Sequence, residues 1–108
     1  MVELYFKDKK LGILKYDGNN YIYTSDFDNE NYAKNNYFLN LTDYNLYGSN
    51  FKISQNLFNF FKKIVIQVKK RKDLLKMLQI TNNDTDFDIL TKLGKSRQNS
   101  DKFYLKSI

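Results

Sequence analysis

The hydrophobic period of this chain changes once, and the change falls at Ser54. Before it, apolar residues alternate with polar ones. After it, they recur every third or fourth position. Alternation marks half-buried strands, and a repeat of about 3.6 residues marks amphipathic helices. Strands in one part of a chain and helices in another make an α+β domain.

Val2 to Phe6 alternates, with Val2, Leu4 and Phe6 on one face. After a polar turn, Lys7 to Lys10, a second run spans Leu11 to Tyr16, with Leu11 and Ile13 on one face. Asp17-Gly18 supplies a turn dipeptide that tolerates positive φ, and Tyr21 to Thr24 reads as a third strand. Asp26 to Asn36 is polar and reads as a loop. Tyr37 to Leu41 alternates again, with Tyr37, Leu39 and Leu41 on one side, and is expected to form a fourth strand. Thr42 to Lys52 has the character of a turn around Gly48-Ser49-Asn50.

Ser54 is a candidate N-cap, because its hydroxyl can accept from an unpaired amide of a first helical turn. Leu57, Phe61, Ile64 and Val68 follow at helical spacing, beside Phe58, Phe60 and Val65. Continued as one ideal helix at about 100° per residue, this stripe would turn Arg71 into the apolar face. The spacing therefore predicts two helices, over 55–66 and 69–79, with a break between them. Thr85 and Asp88 have the spacing of a capping box for a third. Its inward positions are Phe87, Leu90 and Leu93, and Gly94 is the expected glycine after its end. Lys102 to Ile108 alternates through Phe103 and Leu105 as a last strand. The expected fold is a small antiparallel sheet, four N-terminal strands and one C-terminal strand, packed with two to three helices. Its expected core holds Leu4, Leu39, Leu57, Phe61, Leu75, Leu78, Leu90 and Leu93.

With 108 residues the chain fits one domain, 1–108, with no linker-like stretch and no internal repeat. It has neither cysteine nor histidine. Disulfides and thiolate metal sites are excluded, and the commonest general base is missing. Asp84, Asp86 and Asp88 resemble the start of a calcium loop, but its sixth and twelfth positions hold Ile89 and Lys95 instead of glycine and an acid. The four glycines are isolated, so there is no phosphate loop. No catalytic residue, cofactor or metal is expected, and the chain reads as no enzyme. The start, MVELYFKDKK, has no long apolar stretch and is no signal peptide; the longest apolar runs, such as Ile64 to Ile66, are far too short for a membrane span. A cytoplasmic protein is expected, and the glycosylation sequons at Asn40 and Asn83 are chance matches.

The net charge is +6, but only Arg71 and Arg97 of the 18 basic residues are arginine, the better reader of phosphate and guanine. Specific nucleic-acid binding is not expected. Lys69-Lys70-Arg71-Lys72 is the densest charge run. It reads as a solvated helix start, as a contact for an acidic partner surface or as a direct nucleic-acid contact.

The stretch LFNFFKKIVIQVKKRKDLLKML, Leu57 to Leu78, followed by Phe87-Asp88-Ile89-Leu90-Thr91-Lys92-Leu93-Gly94, resembles the N-terminal subdomain of the HipA family of Ser/Thr kinases. Leu11-Gly12-Ile13-Leu14 and Asp17-Gly18 are similar to that family's second strand and turn glycine. The resemblance covers nearly the whole chain, and order and spacing carry it more than any one motif. Two places depart from the family. Val65-Ile66 stands where Leu-Pro is usual, and the segment Lys95 to Lys102 is longer and more polar. The resemblance implies a subdomain expressed without the kinase core, as in three-part toxin–antitoxin systems. There the small protein binds a shortened HipA-like kinase and neutralises it, beside a helix-turn-helix repressor. The expected partner contact is Ile64, Val65, Ile66, Lys69, Lys70, Arg71 and Lys72, because three adjacent apolar residues exceed what one helix face can bury. The alternatives are that those apolar residues complete the core, that the chain is a small basic nucleic-acid-binding domain, or that it is an inert remnant of a split kinase.

Overall fold

The computed structural model describes residues 1–96 and 103–108. Five strands form one antiparallel sheet, ordered β4-β3-β2-β1-β5. They are β1 (Val2–Phe6), β2 (Lys9–Tyr16), β3 (Tyr21–Ser25), β4 (Phe51–Ser54) and β5 (Phe103–Ser107). The first three make the expected meander. Leu14 lies beside Val2 on one side and Tyr23 on the other, so these residues share one buried face. Ile13, expected to share a face with Leu11, stands opposite Glu3 and Thr24 instead, because the register shifts at Leu11. At the β2–β3 turn Gly18 has φ +98°, and Asp17 Oδ1 accepts from the Asn19 and Asn20 amides. β5 closes the far side of β1, with Leu105 opposite Leu4.

Four helices pack on the inner face: α1 (Phe27–Asn36), α2 (Asn59–Lys69), α3 (Lys72–Met77) and α4 (Asp86–Ser96). The segment read as a loop is therefore mostly helix α1. Its Asp26 cap accepts from the Asn29 amide, but the residues it buries are Glu30 and Ala33, which make no apolar stripe. The fourth strand expected at Tyr37 to Leu41 does not form. Tyr37 ends α1, Phe38 turns through φ +57°, and the amides of Tyr37 and Leu39 both return to the Ala33 carbonyl. Leu39 is buried as expected, but through a chain reversal and not a sheet. The fourth strand is instead β4, which begins at the end of the segment read as a turn and runs on to Ser54. Its residues are mostly exposed on both faces, so no buried alternation announces it.

Ser54 ends β4 and caps no helix; its Oγ accepts from the Asn56 amide. α2 starts later, after Phe58, with no side-chain cap. The break between α2 and α3 falls at Lys70-Arg71, a few residues beyond the expected place. The capping box forms in full: the Asp88 amide donates to Thr85 Oγ1 at 3.1 Å and the Thr85 amide donates to Asp88 Oδ2 at 3.0 Å. Gly94 is not the residue after the helix but a buried part of it. A β-carbon there would stand 2.8 Å from the Ser107 backbone nitrogen, so glycine is what lets α4 approach β5. Lys102, the expected first residue of the last strand, lies outside the described residues, as does most of the polar segment before it.

The core is contiguous. Phe61, buried beneath the sheet, meets Tyr23 and Phe60 at ring-centroid distances of 5.6 and 5.3 Å. Leu4, Leu39, Leu57 and Leu90 are buried with it, Leu75 and Leu93 are half-buried at its margin, and Leu78 is buried outside this cluster. Among the described residues one charged side chain joins this core: Glu30, 0% exposed, accepts from the Tyr44 hydroxyl and from the Gly48 amide. The Tyr23 and Tyr44 hydroxyls share a further bond at 2.7 Å. Burial raises the Glu30 carboxyl above its ordinary value.

Candidate functional site

The residues expected to meet a partner sit on α2 and at the start of α3. Consecutive helical side chains diverge by about 100°, and Ile64, Val65 and Ile66 consequently enter three environments. Val65 is 2% exposed and belongs to the core with Phe61 and Val68. It corrects the expectation of a contact made by all three: an aspartate there would enter an apolar interior without a partner. Ile64 is half-buried and faces a groove. Ile66 is 45% exposed.

The break follows from local geometry. Lys70 closes α2, its amide reaching the Ile66 carbonyl, and Arg71 is extended at φ −106°, ψ 99°. This turns the Arg71 side chain back along α3, where its guanidinium bonds Asp73 at 2.7 Å. That pairing holds the Asp73 carboxyl below the ordinary range. Lys69 lies 3.6 Å from Asp86 of α4. Both pairs are solvent-exposed and contribute little to stability. The basic run is thus partly engaged within the molecule, while Lys70 and Lys72 stand out from its surface.

Beside the break is a groove of about 370 Å³. Phe60, Ile64 and Val68 of α2 form one wall, at positions that recur on one helix face. Phe103 and Leu105 of β5 form the other, and Leu74 and Leu93 stand at its end. The exposed residues Lys63, Gln67, Arg71 and Asp43 also line it, at its mouth. An apolar interior with a mostly cationic mouth suits an apolar side chain flanked by carboxylates. The sequence pointed to Ile64 and Arg71. It did not point to the groove, whose second wall is contributed by a strand some forty residues further along the chain.

The acidic residues that imitate a calcium loop have other partners. Asp84 pairs with Lys92 at 2.7 Å and accepts from the Thr81 amide, and Asp88 caps α4. Among the described residues no three acidic side chains converge on a cation site. None of the described helices is long and apolar enough to cross a membrane. Compared with protein-family models, curated proteins and solved structures, the chain finds no significant match in any of them.

Proposed function

We propose that this chain is a binding subunit that docks on a HipA-like Ser/Thr kinase and neutralises it, acting as an antitoxin. The resemblance of Leu57 to Leu78 and of Phe87 to Gly94 motivates the partner. The observation that carries the binding reading is the surface around the helix break: an apolar groove lined by Ile64 with Lys63 and Arg71 and, on another face of α2, the exposed Ile66. Buried apolar anchors slow dissociation, and solvated lysines around them chiefly raise the association rate. Inhibition would be steric or conformational, holding the kinase from its protein substrate or from a productive active site. A helix-turn-helix repressor could complete the same complex.

The test is co-expression with such a kinase, read by co-purification and growth rescue. Ile66→Asp should leave the circular dichroism spectrum unchanged and release toxicity. Replacing Lys69, Lys70 and Lys72 by Ala should weaken protection less. A folded Ile66→Asp variant that still protects would move the contact elsewhere.

A second reading, a small basic nucleic-acid-binding domain, draws on the outer face of the sheet. Tyr5 and Tyr104 stack there at 4.9 Å, and Lys106 and Lys15 lie on the same face. Binding of that kind would be steeply salt-dependent. A hundredfold preference for one sequence over another would favour this reading over the antitoxin.

A further inference from the structure

The two edges of the sheet differ. α4 packs closely on β5 at one end, whereas β4 at the other has close packing with β3 alone among the described elements. The Ser25 amide donates to the Asn50 carbonyl, which makes Ser25 and Asn50 a hydrogen-bonded pair. Antiparallel ladders alternate, so Tyr23 with Lys52 and Tyr21 with Ser54 are the next such pairs. The amides and carbonyls of Phe51 and Ile53 then point away from β3, toward the open edge. Their side chains, 62% and 53% exposed, stand on the outer face beside Ile22. Natural sheets blunt an exposed edge with proline, a bulge or charges, lysine above all, inward-pointing ones included. β4 has no proline; Lys52, on the inner side with its ammonium over the Phe58 ring, is its one charge and guards the edge against strands that bring no acid to meet it.

We propose that β4 receives an extended segment of a partner protein as a sixth, antiparallel strand, and that this segment carries an acidic residue between two apolar ones. The pattern follows from the register. The apolar residues would exchange backbone bonds with Phe51 and Ile53 and lay their side chains on the outer face. The residue between them would fall opposite Lys52 in the closer, non-hydrogen-bonded pair, where opposite charges attract and like charges repel. Charge also decides against a second copy of this chain. Pairing β4 with itself in that ladder sets Phe51 against Ile53 on both sides and Lys52 against Lys52. Two molecules of net charge +6 would meet at that point. The inference is independent of the kinase reading, since it rests on the edge and not on α2.

Short synthetic peptides test it, one alternating valine with glutamate and one alternating valine with lysine, added to the full-length chain. Hydrogen exchange should slow at the Phe51 and Ile53 amides with the glutamate peptide, while the Lys52 amide, already bonded to β3, changes less. The glutamate peptide should bind about fivefold tighter than the lysine peptide, and Lys52→Glu should reverse the order. Ile53→Pro removes an edge donor without touching the β3 ladder, and should abolish the protection. Lys52→Glu keeps the question answerable if the proline variant does not fold. Unchanged exchange at both amides up to millimolar peptide would overturn the proposal. So would equal affinity for the two peptides, or protection that appears with chain concentration alone and marks a second copy. A kinase that co-purifies and leaves these amides unprotected would sink strand addition to the kinase while sparing the antitoxin reading; peptide binding without kinase binding would do the reverse.

Discussion

α1 and α2 are of similar length and are held in opposite ways. α1 has a side-chain cap at Asp26 and acidic residues in its first turn, which suit the positive end of the helix dipole. It buries one alanine and one glutamate. α2 has no side-chain cap, yet it buries Phe60, Phe61, Val65 and Val68. One helix is fixed by local hydrogen bonds and a polar anchor, the other by an apolar stripe. Apolar burial is the larger source of stability, at about 25 cal/mol per Å². α2 should therefore hold the domain together and α1 should be the first helix to open.

The largest effect should come from α2. Phe61→Ala leaves a cavity where the ring met Tyr23 and Phe60, and should cost about 3–5 kcal/mol across the whole domain. A urea melt measures it, and a loss below about 1 kcal/mol would show that α2 is not the organising helix. Next is Glu30→Ala. It leaves the Gly48 amide and the Tyr44 hydroxyl without their acceptor, at about 1–3 kcal/mol for each group left unsatisfied. Hydrogen exchange should show the loss concentrated in α1 and the Tyr44 segment. Uniform loss across all four helices would erase the contrast between α1 and α2. Asp26→Ala removes only a cap and should cost about 1 kcal/mol, again read as faster exchange in the first turn of α1.

The smallest effect concerns pH. Glu30 has a folded-state pKa raised by burial above its unfolded value. The folded protein then holds the proton more tightly than the unfolded chain. Its contribution is fully present below the unfolded pKa and is lost as pH rises through the folded one. Exposed Asp73 and half-buried Asp84, lowered by Arg71 and Lys92, act in the opposite sense and lose their contributions as pH falls. Glu30→Gln should remove the Glu30 part of this slope and leave the aspartate part. Denaturant melts across the mildly acidic range would show it, and identical profiles for the two proteins would mean that Glu30 titrates as it does in the unfolded chain.

The same contrast explains what could be read from the chain. The meander, α4 and β5 were legible because their signals are local: alternation at Val2 to Phe6, a turn glycine at Gly18, and Thr85 with Asp88 at capping distance. The helix break was legible in kind, since a continuous helix would have buried Arg71. Its position moved because α2 starts at Asn59 without a side-chain cap, and not at Ser54, where a cap residue was available. α1 was missed although Asp26 offered a cap, because a helix whose inward residues are Glu30 and Ala33 has no apolar period. β4 was missed because both faces of Phe51 to Ser54 are largely open to solvent.

The sequence by itself determined the α+β class, the alternation that gives β1 and β3 their buried faces, and the aromatic and aliphatic residues that fill the core. Those properties depend on side-chain period and on neighbours close along the chain. Only the tertiary structure decided where Ile64, Val65 and Ile66 go, which strand became the open edge, and why Gly94 is glycine. Each depends on a surface brought from far along the chain: β5 against Ile64 and Gly94, β3 against Phe51 and Ile53, and Tyr44 against Glu30. A buried carboxylate and an exposed strand leave no period in a sequence, because their partners are chosen by packing.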